Sequence, residues 1–176
     1  MKPYFERFIR ELPDVPSLAA CEEEKLLKLW EGLGYYSRVR NMQLAAREMT
    51  EKYNGKLPED HSLLMSLKGI GSYTAGAIAS IAYGIPVPAV DGNVFRVMTR
   101  LTEDEEDITR PVFRKKTEKA LQDLIPADRP GDFNQAMMEL GAVVCVPNGQ
   151  PKCELCPVKN WCLARLHGTA EKYPVK

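Results

Sequence analysis

The chain has 176 residues, 44% of them apolar and 27% charged, and its 24 basic and 24 acidic side chains bring the formal net charge to zero. This is the composition of a globular protein with one sizeable core or two small lobes, and it excludes disordered and low-complexity classes. No apolar run approaches the ~18 residues of a spanning helix, and MKPYFERFIREL lacks the apolar stretch of a signal peptide, so the chain is expected in the cytoplasm with no membrane partner. Zero net charge argues against a uniformly electrostatic surface but permits a local basic face.

The apolar periodicity is helical throughout, and no alternating run predicts a strand. The expected class is all-α. PYFERFIREL, residues 3–12, carries apolar residues at positions 4, 5, 8, 9 and 12 and is closed by Pro13 and Pro16. EEEKLLKLWEGLG, residues 22–34, is acidic at its start and glycine-ended, the order that the helix dipole and C-cap preferences favour. YSRVRNMQLAAREMTEKYNG is a long amphipathic helix ending at Gly55, and PEDHSLLMSL and SYTAGAIASIAYG flank the short connection KGIG. Two prolines in IPVPAV, residues 85–90, break the pattern and mark the expected boundary between a lobe at 1–86 and a lobe at 87–176. DGNVFRVMTRL, RPVFRKKTEKALQDLIP and DFNQAMMELGAVVC predict three further helices, with EDEED at 103–107 as a solvated acidic loop between the first two.

Cys21, alone in SLAACEEEK, reads as a small buried apolar residue. The other four cysteines crowd into CVPNGQPKCELCPVKNWC, and such a cluster in a reducing compartment points to metal rather than to disulfides. Cys145, Cys153, Cys156 and Cys162 have gaps of seven, two and five residues. Structural zinc favours two close pairs, whereas only one C-x-x-C occurs here, so four thiolates on one loop suit a 4Fe-4S cluster, with zinc or unliganded core thiols as alternatives.

Gly69, Ile70 and Gly71 admit two readings. They form either a plain turn between antiparallel helices or a helix-hairpin-helix, at about residues 60–84, in which backbone N–H groups at the next helix start face a phosphate. A dinucleotide fingerprint is excluded, since no strand precedes the glycines and Thr74 stands where a third glycine would be. Asp91, directly before GNVFRV, is an N-cap by position, and a carboxylate there is stabilised as the anion.

LKGIGSYTAGAIASIAYG followed by VPAVDGNVFRV resembles the helix-hairpin-helix and Gly/Pro...Asp signature of the DNA glycosylases related to endonuclease III. With GLGYYSRVRN, FNQAMMELGAVVC and the cysteines, the resemblance is closest to the A/G-specific adenine DNA glycosylases of the MutY type, and it covers the whole chain. It implies a helical-barrel lobe at 1–86, an iron-sulfur lobe at 87–176, a monomer, a nucleoid-associated location and, as partner, double-stranded DNA containing adenine mispaired with 8-oxoguanine or guanine. It makes Asp91 the catalytic aspartate, countering positive charge on the sugar as the N-glycosidic bond breaks, with Asn93 as its polar neighbour. Gly69, Ile70 and Gly71 become the phosphate-binding hairpin. Tyr73 occupies the place where bifunctional relatives carry a Schiff-base lysine; a phenol cannot form the imine, so hydrolysis without strand cleavage is implied. Tyr35 matches the aromatic wedge that holds an extruded base out of the stack, with Arg38 and Arg40 beside it to neutralise phosphates. The four cysteines match the cluster ligands, although the family's first gap is one residue shorter, and Lys152 and Lys159 stand beside them.

In that family the general acid, a glutamate, lies on a helix upstream of the counterpart of PYFERF, and a further C-terminal domain reads 8-oxoguanine. The sequence begins just before KPYFERF and ends at YPVK, so an interior portion of the enzyme with weak or no activity alone is expected. Two other functions remain in competition: a non-catalytic iron-sulfur DNA-binding remnant, which accommodates every motif, and an endonuclease III-like glycosylase/lyase, against which Tyr73 argues.

Overall fold

Pro13 and Pro16 do more than end a helix. In the computed structural model, which describes residues 2–176, α1 spans Lys2–Glu11, and a second helix the periodicity did not separate, α2, spans Val15–Ala20. Asp14 and Ser17 form a reciprocal capping box at the start of α2, the Ser17 amide donating to Asp14 Oδ1 at 2.8 Å and the Asp14 amide to Ser17 Oγ at 3.2 Å. Pro16 stands in the first turn, where its missing N–H loses no intrahelical bond. α3 covers Glu23–Leu29, shorter than expected, because the chain turns left-handed at Gly32, Gly34 and Tyr35 before α4, Tyr36–Tyr53. Asn54 and Gly55, both at positive φ, end α4. Asp60 caps α5, His61–Ser66, accepting from the amides of Ser62 and Leu63.

The chain divides into two compact units, one ending at Gly71 and one spanning Ser72–Lys176. In the first, Leu12, Leu18, Leu26, Val39, Ala46, Met49 and Leu67 form a continuous buried core. Cys21 is buried among them. Gln43, a buried polar side chain of α4, donates to the carbonyls of Leu18 and Cys21 and so satisfies the end of α2.

The second unit contains α6 (Ser72–Tyr83), α7 (Gly92–Thr102), α8 (Pro111–Gln122) and α9 (Pro130–Glu139). α9 passes directly into a π turn, Leu140–Val144, and a short α10 covers Leu163–Leu166 beyond the cysteine segment. Val90, Val94, Phe95, Phe113 and Leu121 are its buried core. The IPVPAV segment lies within this unit as ordered non-helical chain. Asn134 explains the order: buried, it accepts from the Ala89 amide at 3.0 Å and donates to Val87 O at 2.9 Å and Ser80 Oγ at 2.8 Å, supplying partners that no helix or sheet provides.

The expected all-α class is therefore observed, with no strand among the described residues and no helix long and apolar enough to cross a membrane. EDEED, by contrast, is not a free solvated loop. Glu103 caps α7 in a left-handed conformation and takes hydrogen bonds from Thr169 Oγ1 and His167 Nδ1, while Asp104 and Glu106 both hold Lys116. Hydrogen bonding to Thr169 first, and to His167 second, holds the Glu103 carboxyl below its usual range.

Candidate functional site

α7 carries the most connected polar arrangement in the second unit. Asp91 is its N-cap, extended at φ −105° and ψ −175°, with Oδ1 accepting from the Val94 amide at 2.8 Å. Its other oxygen accepts from Asn93 Nδ2 at 2.9 Å, so both oxygens are engaged by the first turn of the helix. Asn93 Oδ1 in turn accepts from Arg96 Nη2 at 2.8 Å; with the amide nitrogen facing the carboxylate, its oxygen is left to face the cation. Asp91, Asn93 and Arg96 line a cavity of about 740 Å³ that reaches Tyr173 and Lys176.

Arg96 is buried, and burial pushes its pKa below the usual arginine value while Cys145 and Asp91 act in the opposite direction. Its guanidinium is held by carbonyls: Nη2 donates to Gly141 O at 2.7 Å and Nε to Cys145 O at 2.7 Å. The π turn makes these carbonyls available, since its wider winding leaves Cys145 N bonded to Leu140 O rather than to a nearer carbonyl. Gly141 permits the approach: a Cβ there would stand 2.5 Å from Asn93 Cβ and 2.9 Å from Asn93 O. One turn further along α7, buried Arg100 donates to Val146 O at 3.0 Å, to Tyr173 O at 3.1 Å and to Cys145 Sγ at 3.3 Å, and the Cys162 thiol donates to Arg100 O at 3.4 Å. Asp91 and Cys145 are thus joined through Asn93 and Arg96.

The four clustered cysteines are free thiols, each partly buried, and all four line one small cavity together with Arg100, Lys159 and Arg165. Among the described residues no group of three or more His, Cys, Asp or Glu side chains is arranged to hold a metal ion. The donor chemistry nevertheless fits a cationic cluster. Burial pushes the Cys153 and Cys156 thiols up, and repulsion from neighbouring cysteines adds to it, so these two would give up their protons only to a positively charged partner.

Tyr73 is the second residue of α6, partly exposed, and its hydroxyl donates to the Met138 sulfur of α9 at 3.4 Å. In the first unit, Tyr35 is 75% exposed and stands at φ 47° and ψ 53°, a left-handed conformation that costs an aromatic residue roughly 1–2 kcal/mol. The Arg38 guanidinium lies 5.0 Å from its ring centroid, while Arg40 is paired with Glu23 at 2.7 Å. Gly69 adopts φ +82° with Asn41 packed where a Cβ would be, and the corresponding space at Gly71 is open. Ile70 packs on the core of the first unit, and the Lys68 amide donates to Glu48 Oε2 at 3.1 Å, fixing the approach to the hairpin.

Of the residues singled out in the sequence, Asp91 and Asn93 are directly bonded, and the four cysteines share one cavity. Arg96, Arg100, Gly141 and Met138 escaped notice. Arginines four apart on a helix whose neighbours are Val94, Phe95 and Val97 were the available signal, since a charge in an apolar stripe must have a partner.

A family model described as HhH-GPD superfamily base excision DNA repair protein matches residues 1–127. The chain is 38% identical over 174 residues to the adenine DNA glycosylase of Buchnera aphidicola from Acyrthosiphon pisum, covering 99% of this chain and 49% of the relative. It is 44% identical over 163 residues to the adenine DNA glycosylase of Homo sapiens, covering 92% and 30%. The chain thus spans about half or less of the length of these relatives. Among solved structures, a non-covalent endonuclease III–DNA complex matches with a TM-score of 0.78 at 28% identity, covering 97% of this chain and 75% of that one. A thermostable thymine-DNA glycosylase shares the fold, with a TM-score of 0.84 at 24% identity over 94% of this chain and 76% of that one. With 127 of its 176 residues matched by the family model, the chain belongs to the HhH-GPD superfamily of base excision DNA repair proteins.

Proposed function

We propose that this chain is the base-excising portion of an adenine DNA glycosylase, acting on double-stranded DNA at adenine mispaired with 8-oxoguanine or guanine. The observation that carries this reading is Asp91: an N-cap carboxylate bonded to Asn93, set on a cavity and placed twenty residues after Gly71 in a chain whose relatives bear that name. In the reaction, the bond between the sugar C1′ and adenine N9 breaks with its electron pair leaving on the base, which takes up a proton. Water adds to C1′ and loses one. Asp91 faces the positive charge that develops on the sugar, and Asn93 and the helix start hold it in place. Tyr73 offers no amine to C1′, so the backbone stays uncut.

Gly69, Ile70 and Gly71 are assigned to phosphate contact, Tyr35 to the base stack, and Arg38 and Arg40 to flanking phosphates. The exposure of Tyr35 and the open space at Gly71 support these roles. Cys145, Cys153, Cys156 and Cys162 would hold a 4Fe-4S cluster, with zinc as the alternative metal. When bound, the cluster supplies four metal–thiolate bonds that tie residues 145–162 into one loop. A helical-barrel lobe at 1–86, a cluster lobe at 87–176 and a nucleoid-associated location belong to the same reading.

The test is single-turnover release of adenine from a duplex containing adenine opposite 8-oxoguanine, using the gene product that carries this sequence. Adenine release without strand cleavage is expected, with a loss of roughly 10²–10³-fold in Asp91→Asn. Binding without release in all variants would favour the non-catalytic remnant, and strand cleavage through a borohydride-trappable intermediate would favour the lyase. Iron and zinc analysis after anaerobic purification decides the metal, and Cys156→Ser should cost solubility along with metal content.

A further inference from the structure

The turn that presents Tyr35 has no ladder of backbone hydrogen bonds to hold it. Gly32, Gly34 and Tyr35 all lie at positive φ, at 90°, 69° and 47°. Leu33 N donates to Trp30 O at 3.1 Å, and Arg38 N to Tyr35 O at 2.8 Å. Between these two bonds the only side chain that grips the turn's backbone among the described hydrogen bonds is Trp30, whose indole Nε1–H donates to Gly34 O at 2.9 Å.

We propose that Trp30 is the positioning residue of the aromatic wedge, an inference that rests on the reading of Tyr35 as that wedge. The peptide unit is planar, so a bond to Gly34 O fixes the plane that also contains Tyr35 N and Cα. With that plane fixed and the Arg38 amide holding Tyr35 O, the direction of the Tyr35 side chain is determined from both sides. Trp30 is itself well anchored. Its ring meets Phe8 edge-on at 5.8 Å and 79°, it packs on the core of the first unit, and its amide closes the end of α3 on Leu26 O and Leu27 O. The indole therefore links the packed core of the first unit to a strained, 75% exposed tyrosine, and what it provides is pre-organisation: a ring already held in place loses less freedom on entering a base stack. The Arg38 guanidinium lies over the same ring, 5.0 Å from its centroid.

The experiment uses the full chain with Trp30 replaced by benzothienylalanine, an isostere in which sulfur takes the place of the N–H, and in parallel Trp30→Phe and Tyr35→Ala. Fluorescence of 2-aminopurine beside a mismatch reads base unstacking, and hydrogen exchange at the Arg38 amide reads the turn without DNA. The proposal expects Arg38 exchange roughly fivefold faster when the N–H is lost, and a comparable drop in mismatch unstacking. Affinity for matched duplex, set by phosphates, should stay within about twofold. If Tyr35→Ala removes the unstacking signal while the isostere keeps both the signal and the slow exchange, Trp30 is only a packing residue and the proposal is overturned. If Tyr35→Ala leaves the signal intact, or the unaltered chain gives none, the wedge reading itself fails and the proposal goes with it. Should Trp30→Phe fold poorly, the isostere still decides, because it preserves the ring shape.

Discussion

The chain uses arginine in two opposite ways. On α4, Arg38 and Arg40 sit at the surface, one over an exposed tyrosine and one in a half-exposed ion pair with Glu23. On α7, Arg96 and Arg100 are buried, and their donors go to main-chain carbonyls of the π turn, of the segment after Cys145 and of the C-terminal stretch at Tyr173. A solvated guanidinium near the surface is available to a mobile anion. One buried among carbonyls is a structural rivet, five donors on a rigid fork that no other residue type replaces. Identical chemistry is thus left open to solvent in one region and locked into the architecture in the other, and burial decides which.

The sharpest way to break this contrast is Arg96→Leu. It strands the carbonyls of Gly141 and Cys145 and the Asn93 oxygen, and should cost about 3 kcal/mol or more in denaturant unfolding. A loss below about 1 kcal/mol would show that water replaces the guanidinium and that the rivet is dispensable.

Gly141→Ala tests the same joint from the other side, since its methyl must displace Asn93 backbone and Cβ atoms. A destabilisation of about 1–3 kcal/mol is expected, together with displacement of Asn93 from Asp91 in a crystal structure.

At the surface the expectation reverses. Arg38→Ala should leave stability within about 0.5 kcal/mol but weaken binding to matched and mismatched duplex alike, lowering the salt slope by about 1. Arg40→Ala should do less, because Glu23 already neutralises it. Equal effects from the two would remove the distinction between a paired and an available cation.

The smallest effect is on acid stability. Glu103 has its carboxyl lowered in the folded chain, chiefly by Thr169 and then by His167. A depressed folded value means its contribution is fully present above the ordinary 4.5 and is lost as pH falls from there through the folded value. Glu103→Gln should therefore lower the melting temperature slightly at neutral pH, by an amount that shrinks as pH falls below about 4.5, so that the two curves converge in acid. A uniform shift at all pH values would mean that Glu103 acts by packing at the α7 C-cap rather than by charge.

Much was legible before any coordinates. Helical periodicity, the acidic and glycine-marked ends, the cap at Asp91 and the crowded cysteines are local signals, each contained within a few residues, and local physics is what a sequence displays directly. Pairings across the chain are not local. Asn134 reaching back to Val87 and Ala89, Gly141 against Asn93, and Arg96 on Cys145 are separated by some forty to fifty positions. No periodicity encodes them. Pro16, read from sequence as a stop, stands instead in the first turn of α2, where the Asp14–Ser17 box places it, because a proline both ends one helix and suits the start of the next. The sequence by itself therefore determined the helical class, the family motifs and the residue types that chemistry requires. Tertiary structure alone decided which charges are buried, because burial is a property of what packs against a side chain, and it turned Arg96 and Gly141 into the frame that holds Asn93 beside Asp91.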